Sequence, residues 1–386
     1  MRYLTPLLLL MCVLQTKVNA QEITIGFQDS LYSETLQEMR HLKVFLPPSY
    51  EKYTSVKYPV TFLLDGNFLF HSASGMIEYM SKTGELPEMI VIAIANTQRT
   101  RDFTPTHTLI NYEGEEDQGL KASGGGERFL TFLEAELIPY IQEQYKALPF
   151  NTIIGRSFGG LIAGHNYLQA NSKINRFLLI DPSFWWDEQW LVEQAKATSV
   201  EAIQQKRMYI SCSDNFEYSD YIKGMRASQE GFAAQLVAKG LSKSAMQLDY
   251  FEEETHGTVT LPSLRNGLLF LFNDFYLDGM KYKTADEILN HFQQFAAANH
   301  PAIYPLEGMI TWLASKQSAG YPDRAERLYQ LNLKHFPESV RAHFALAQHY
   351  EKQEDKAAAI ALYEAILLID EDNKVALEKL SLLEKD

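Results

Sequence analysis

The chain is poor in cysteine. Only Cys12 and Cys212 occur in 386 residues, and Cys12 falls in an N-terminal stretch that reads as a cleaved leader. Cys212 then stands alone, which excludes an intramolecular disulfide framework. It lies in the apolar run MYISCSD and reads as a small buried hydrophobe rather than a nucleophile. Positive charge is scarce as well: 35 Lys and Arg face 49 Asp and Glu, a net charge of −14. So acidic a chain repels nucleic acid and anionic lipid, and neither is expected as a partner. No group of His, Cys and acidic residues has metal-ligand spacing, and no dinucleotide fingerprint is present. Neither metal nor cofactor is expected. Gly124-Gly125-Gly126 runs into Glu127-Arg128 and lacks the Lys-Ser/Thr ending of a phosphate loop. Beyond residue 20 no apolar run is long enough to span a bilayer.

The leader is MRYLTPLLLLMCVLQTKVNA. Basic Arg2, the apolar stretch from Leu4 to Leu14 and Val18-Asn19-Ala20 form the pattern of a secretory signal. Cleavage is expected after Ala20, with export to the periplasm or the medium. A retained N-terminal anchor is the other reading. The remaining chain divides into a catalytic region, 21–281, and an all-α region, 282–386.

The catalytic region is a series of short β-branched and aromatic runs ending in turn residues. They are HLKVFLPP (41–48), PVTFLLDG (59–66), MIVIAIAN (89–96), NTIIG (151–155), RFLLIDPS (176–183), RMYISCSD (207–214) and MQLDYFEE (246–253). Helical patterns such as 127–145 and 228–240 lie between them. Strands alternating with helices imply an α/β fold with a mostly parallel sheet covered on both faces. EITIGF (22–27) is expected to pair antiparallel with 41–46.

Past residue 282 the strand signals stop. An internal repeat at a shift of 34 relates Ala325 to Ala359, Leu328 to Leu362, Tyr329 to Tyr363 and Ala342 to Ala376. That period is the one of the tetratricopeptide repeat, and 343–373 resembles one nearly whole unit. So few repeats do not make a long solenoid. The helices are expected to pack on the catalytic region, on a protein partner or on a second copy.

Gly155-Arg156-Ser157-Phe158-Gly159-Gly160 follows the apolar run NTII and precedes a helical pattern. This is G-x-S-x-G in the strand–turn–helix setting of a nucleophile elbow, with Ser157 as nucleophile. Arg156 beside it either orients a carboxylate or phenolate on the substrate or pairs with a nearby acid. A serine hydroxyl needs a base, and in an α/β-hydrolase fold the chain order is Ser, acid, His. After Ser157 come His165, His256, His291, His300, His335, His343 and His349. His165 lies two turns down the elbow helix, and the last five fall in the helical region. His256, just past the final strand, is the base. The acid is expected after the preceding strand: Asp214, with Glu217 as the second candidate and a Ser–His dyad as the third reading. Oxyanion donors are expected from the amide of Phe158 and from the turn at Gly66 and Asn67. Asp65 reads as a turn former. Arg99, Arg101 and Asp102 read as a structural ion pair at the rim, and the acidic loop 111–119 reads equally as a flap over the site or as a solvated loop.

With these residues in place, 40–275 resembles an esterase family of α/β-hydrolases that includes esterase D-like enzymes and ferric-siderophore esterases. The matching pieces are LLDGNFLF (63–70), NTQRTRDFTPT (96–106), GGGERFLTFLEAELIPYIQEQY (124–145), IIGRSFGG (153–160), DPSFWWD (181–187) and THGTVTLPSL (255–264). The resemblance implies ester hydrolysis at a Ser–His–acid site, and places Trp185 and Trp186 near the substrate. Carboxylic ester hydrolysis through an acyl-enzyme, on a small-molecule ester, is the leading expectation. An acyltransferase on the same scaffold is one rival. A repeat-mediated interaction protein with a vestigial hydrolase region is the other.

Overall fold

The computed structural model describes residues 23–214, 220–278 and 283–384. The leader with its cleavage point, Glu217 and the 281/282 division lie outside the described residues.

Eight strands form one sheet: β1 (Phe27–Ser33), β2 (Glu38–Phe45), β3 (Tyr58–Leu63), β4 (Ile90–Ile94), β5 (Ala147–Arg156), β6 (Arg176–Ile180), β7 (Arg207–Ser213) and β8 (Met246–Phe251). Their spatial order is β1-β2-β4-β3-β5-β6-β7-β8. From β4 to β8 every pairing is parallel, and β1 and β2 are antiparallel additions at one edge. Every residue of β3, β4 and β6 is buried, as expected of apolar strands covered on both faces. The expected hairpin at the N-terminal edge is present, but its first strand is FQDSLYS rather than EITIGF. The apolar alternation of 22–27 misled: this edge strand is largely exposed, and its register is set by the turn at 34–37.

The helices of the catalytic region are α1 (Gly66–Lys82), α2 (Arg99–Phe103), α3 (Gly126–Thr131), α4 (Ile138–Gln144), α5 (Phe158–Leu168), α6 (Trp186–Ala197), α7 (Asp220–Ala238) and α8 (Thr260–Leu271). A π-helical segment, Phe132–Leu137, joins α3 to α4, so the pattern over 127–145 is one continuous rod with a widened turn. One face of the sheet packs on α3 to α7 through Phe129, Phe132, Leu161, Leu191 and Phe232. The other face packs on α1 and α8.

That second face also receives the C-terminal helices: α9 (Ala285–Ala298), α10 (Glu307–Gln317), α11 (Pro322–His335), α12 (Val340–Lys352), α13 (Lys356–Ile369) and α14 (Lys374–Leu383). Phe292, Phe295, Ile310, Leu313, Ala325 and Leu328 belong to the same apolar cluster as Leu63, Val91, Ile154 and Leu178 of the strands. The two regions thus differ in secondary structure but share a core as far as α12, where Leu346 joins it. Only the outer helices hold a small cluster of their own, around Ala347, Ala359, Tyr363, Ile366 and Ala376. The 34-residue shift reappears as geometry: α11 and α13 start at Pro322 and Lys356, and α12 and α14 at Val340 and Lys374.

Candidate active site

The site lies at the C-terminal ends of the central strands. β5 ends in Arg156, and the chain turns at Ser157 with φ 56° and ψ −119° before entering α5. That backbone is costly for a residue with a side chain and marks a functional turn. The glycines around it are sterically required. A Cβ on Gly155 would stand 2.2 Å from the carbonyl oxygen of Gly159, and one on Gly160 would stand 2.7 Å from Pro182. The turn raises the Ser157 hydroxyl to the first turn of α5, where helix amides face outward and favour negative charge.

His256 follows β8, as expected. Its Nδ1 is 2.7 Å from Oδ2 of Asp181, not of Asp214. Asp181 follows β6 directly, in a left-handed conformation with φ 42°, and is 1% exposed. Its carboxylate also accepts hydrogen bonds from the Ser213 amide (3.1 Å), the Ser213 hydroxyl (2.5 Å) and the Gln229 side chain (3.0 Å). Burial alone would push the Asp181 carboxyl up. The hydrogen bond and charge of His256, with the donors of Ser213 and Gln229, outweigh it and hold the group below the usual carboxylate range.

Asp214 does other work. Its amide donates to the carbonyls of Phe251 (3.0 Å) and Glu254 (2.8 Å), fastening the end of β7 to the segment that leads to His256. Its side chain pairs with the Tyr250 phenol. The expectation of Asp214 as the partner of His256 is therefore corrected to Asp181. The physical reason is enclosure: Ser213 and Gln229 donate to the Asp181 carboxylate beside the His256 ring, whereas Asp214 is engaged with Tyr250 and with the segment before His256. A sequence signal existed. Asp181 is an acid directly after the apolar run FLLI (177–180), and Ser157, Asp181 and His256 keep the same chain order.

Ser183 and Gln229 also escaped the sequence reading. The Ser183 hydroxyl lies 3.1 Å from that of Ser157, and its amide donates to the Ser157 carbonyl. Gln229, 1% exposed on α7, donates to both Asp181 and the Pro182 carbonyl. Arg156 donates to the backbone carbonyl of His256, tying the His256 loop to the residue before Ser157. Burial lowers its pKa from the usual arginine value.

Phe158 is the first residue of α5, and Asn67 is the second of α1. The two helix starts are neighbours: a Cβ on Gly159 would lie 3.3 Å from Asp65 and Leu64. Asp65 is a left-handed turn residue and holds Arg99 through contacts of 2.6 and 2.9 Å. The expected grouping of Arg99 with Arg101 and Asp102 is thus rearranged. Asp102 instead takes the buried Arg40 at 2.7 Å, along with Arg101.

The tryptophan pair divides. Trp185 is half-buried beside the Phe158 ring, with centroids 6.0 Å apart. Trp186 is fully buried, and its indole N–H donates to Thr106 at 3.1 Å. Its expected place in the substrate cleft is corrected: it supports Phe158 from below, edge-on at 5.1 Å. Cys212 is buried, and desolvation pushes its thiol up. Among the described residues no group of three or more His, Cys, Asp and Glu side chains is placed to hold a metal ion. Nor is any helix there long and apolar enough to cross a membrane.

Residues 33–220 match the family model described as "Putative esterase". The matched segment covers most of the sheet, and the enzyme is an esterase. A siderophore enterobactin esterase of Emericella nidulans is 25% identical over 247 residues, 55% of this chain and 81% of that protein. The ferri-bacillibactin esterase BesA of Bacillus subtilis is 29% identical over 36% of this chain and 52% of its own length. Among solved structures, an IroE-like serine hydrolase from Shewanella oneidensis superposes with a TM-score of 0.65 at 25% identity. That match covers 88% of this chain and 98% of the other, so it extends beyond the sheet into the C-terminal helices. The esterase therefore has the α/β-hydrolase fold with an all-helical C-terminal region.

Proposed function

We propose that this esterase hydrolyses carboxylic esters through an acyl-enzyme on Ser157, with His256 as base and Asp181 as the acid that orients it. The observation that carries the reading is the 2.7 Å contact between His256 and the buried Asp181, beside a serine held in a strained elbow. His256 Nε2 takes the proton as Ser157 Oγ attacks the ester carbonyl, then returns it to the leaving alcohol. Water repeats the sequence to release the acid. Asp181 keeps Nδ1 protonated and stabilises the imidazolium. The amides of Phe158 and Asn67, at two adjacent helix starts, are the proposed oxyanion donors.

The relatives named for siderophore esters make small-molecule esters the first substrates to examine. In the same reading, residues 1–20 are a leader, the protein is exported, and 282–386 is a tetratricopeptide-like extension. Labelling with a fluorophosphonate tests the nucleophile. The wild type takes one label, mapped to Ser157, while Ser157→Ala takes none and loses hydrolysis of p-nitrophenyl butyrate with its circular dichroism unchanged. Activity near wild type in Ser157→Ala refutes the reading.

A further inference from the structure

A cleft of about 240 Å³ opens against Trp185, whose ring packs on Phe158 of the elbow. Two aromatic rings form part of its wall. Trp185 leans on Phe158, and Tyr112 stands edge-on to Trp185 with centroids 6.2 Å apart and planes at 75°. Asp187 and Glu188 line the cleft as well. Neither carboxylate has a hydrogen bond or ion pair among the described residues. Asn111, also in the wall, is committed to the amides of Glu113 and Glu115. Among the described residues no lysine or arginine lines the cleft. The arginines nearest Ser157 are engaged elsewhere, Arg99 with Asp65 and Arg156 with the His256 carbonyl.

Aromatic faces and carboxylates around one small opening, beside a nucleophile, match one kind of substrate group. A cation is attracted by ring faces and carboxylates together. An uncharged group uses the rings alone, and an anion is repelled. We infer that this cleft is a subsite for a positively charged group, an ammonium or quaternary ammonium, carried by the ester near its scissile bond. The inference rests on Ser157 being the nucleophile.

Matched esters test it. The p-nitrophenyl ester of 4-(trimethylammonio)butanoate is compared with its uncharged isostere, the 5,5-dimethylhexanoate, and with the anionic hemiglutarate. Thioacetyl esters of choline and of 3,3-dimethylbutanol place the charge on the alcohol side. In at least one series, kcat/KM is expected to favour the cation over its isostere by about tenfold, and the anion to be slowest. The preference should fall to less than about threefold in Asp187→Asn/Glu188→Gln, with hydrolysis of p-nitrophenyl acetate retained in that double variant, and should shrink in Trp185→Leu. High salt should weaken it. Equal rates for cation and isostere in both series overturn the inference, as does a preference unchanged in the double variant. Failure to hydrolyse p-nitrophenyl acetate or any member of either series would instead count against the esterase site itself.

Discussion

The loops after β6 and β7 begin alike and end differently. Each leaves an apolar strand and reaches an aspartate at once, Asp181 in one and Asp214 in the other. Asp181 is 1% exposed and meets His256, Ser213 and Gln229. Asp214 is half-buried and gives its amide to the segment before His256. One aspartate pairs with the His256 ring, and the other supplies backbone geometry to the loop that carries it. Strand-end position alone therefore does not assign an acid. What separates the two is enclosure by donors, which converts the burial of a carboxylate from a cost into a fixed orientation.

The sharpest way to break the comparison is a pair of isosteric changes. Asp181→Asn is expected to lower kcat on p-nitrophenyl butyrate by about 10³- to 10⁴-fold with the fold intact, since the amide favours the wrong imidazole tautomer. Asp214→Asn keeps the backbone amide that does the work and is expected to stay within about threefold of wild type. A larger loss in Asp214→Asn would reverse the assignment. Next in size is Gln229→Leu, which removes a donor to a charged group, an effect of about 1.5–3 kcal/mol or roughly tenfold or more in kcat/KM. Losing that donor raises the pKa of Asp181, so the acid limb of the pH–rate profile should move to higher pH. A drop in rate without that movement would mean Gln229 acts only through packing.

A smaller effect concerns stability. The folded Asp181 carboxyl lies below its unfolded value, so its stabilisation is present above the unfolded pKa, about 4, and is lost as pH falls through the folded one. The urea midpoint of wild type should therefore exceed that of Asp181→Asn at pH 7, and the gap should narrow below about pH 4. A gap that widens there would show that Asp181 is not held ionised. Smallest of all is the effect at Cys212, inside β7 just before Asp214. Buried, with its thiol pushed up, it should not react with Ellman's reagent until urea unfolds the chain.

Much of this was legible in the sequence. The strands, their parallel arrangement, the elbow and His256 follow from apolar runs, from glycines where a Cβ has no room, and from chain order. The acid was harder because two aspartates satisfy the same local pattern, and enclosure by Ser213 and Gln229 is a tertiary property. Trp185 and Trp186 read as one motif, yet adjacent residues in the turn into a helix face opposite ways: one borders the cleft and the other fills the core. The 34-residue repeat was visible in spacing. The seating of its first helices on the sheet was not, because an amphipathic helix does not say what it covers.

That seating bears on how the enzyme melts and how it is cut. With Phe292, Ile310 and Leu328 in the same cluster as Leu63 and Ile154, the inner tail helices form the back wall of the sheet. Shortening the gene at residue 281 would leave that wall open and yield an aggregating fragment rather than a smaller esterase. Heating the whole chain should abolish activity and most of the helical signal at one temperature, while a protease nibbling inward from α14 finds little to stop it before α12.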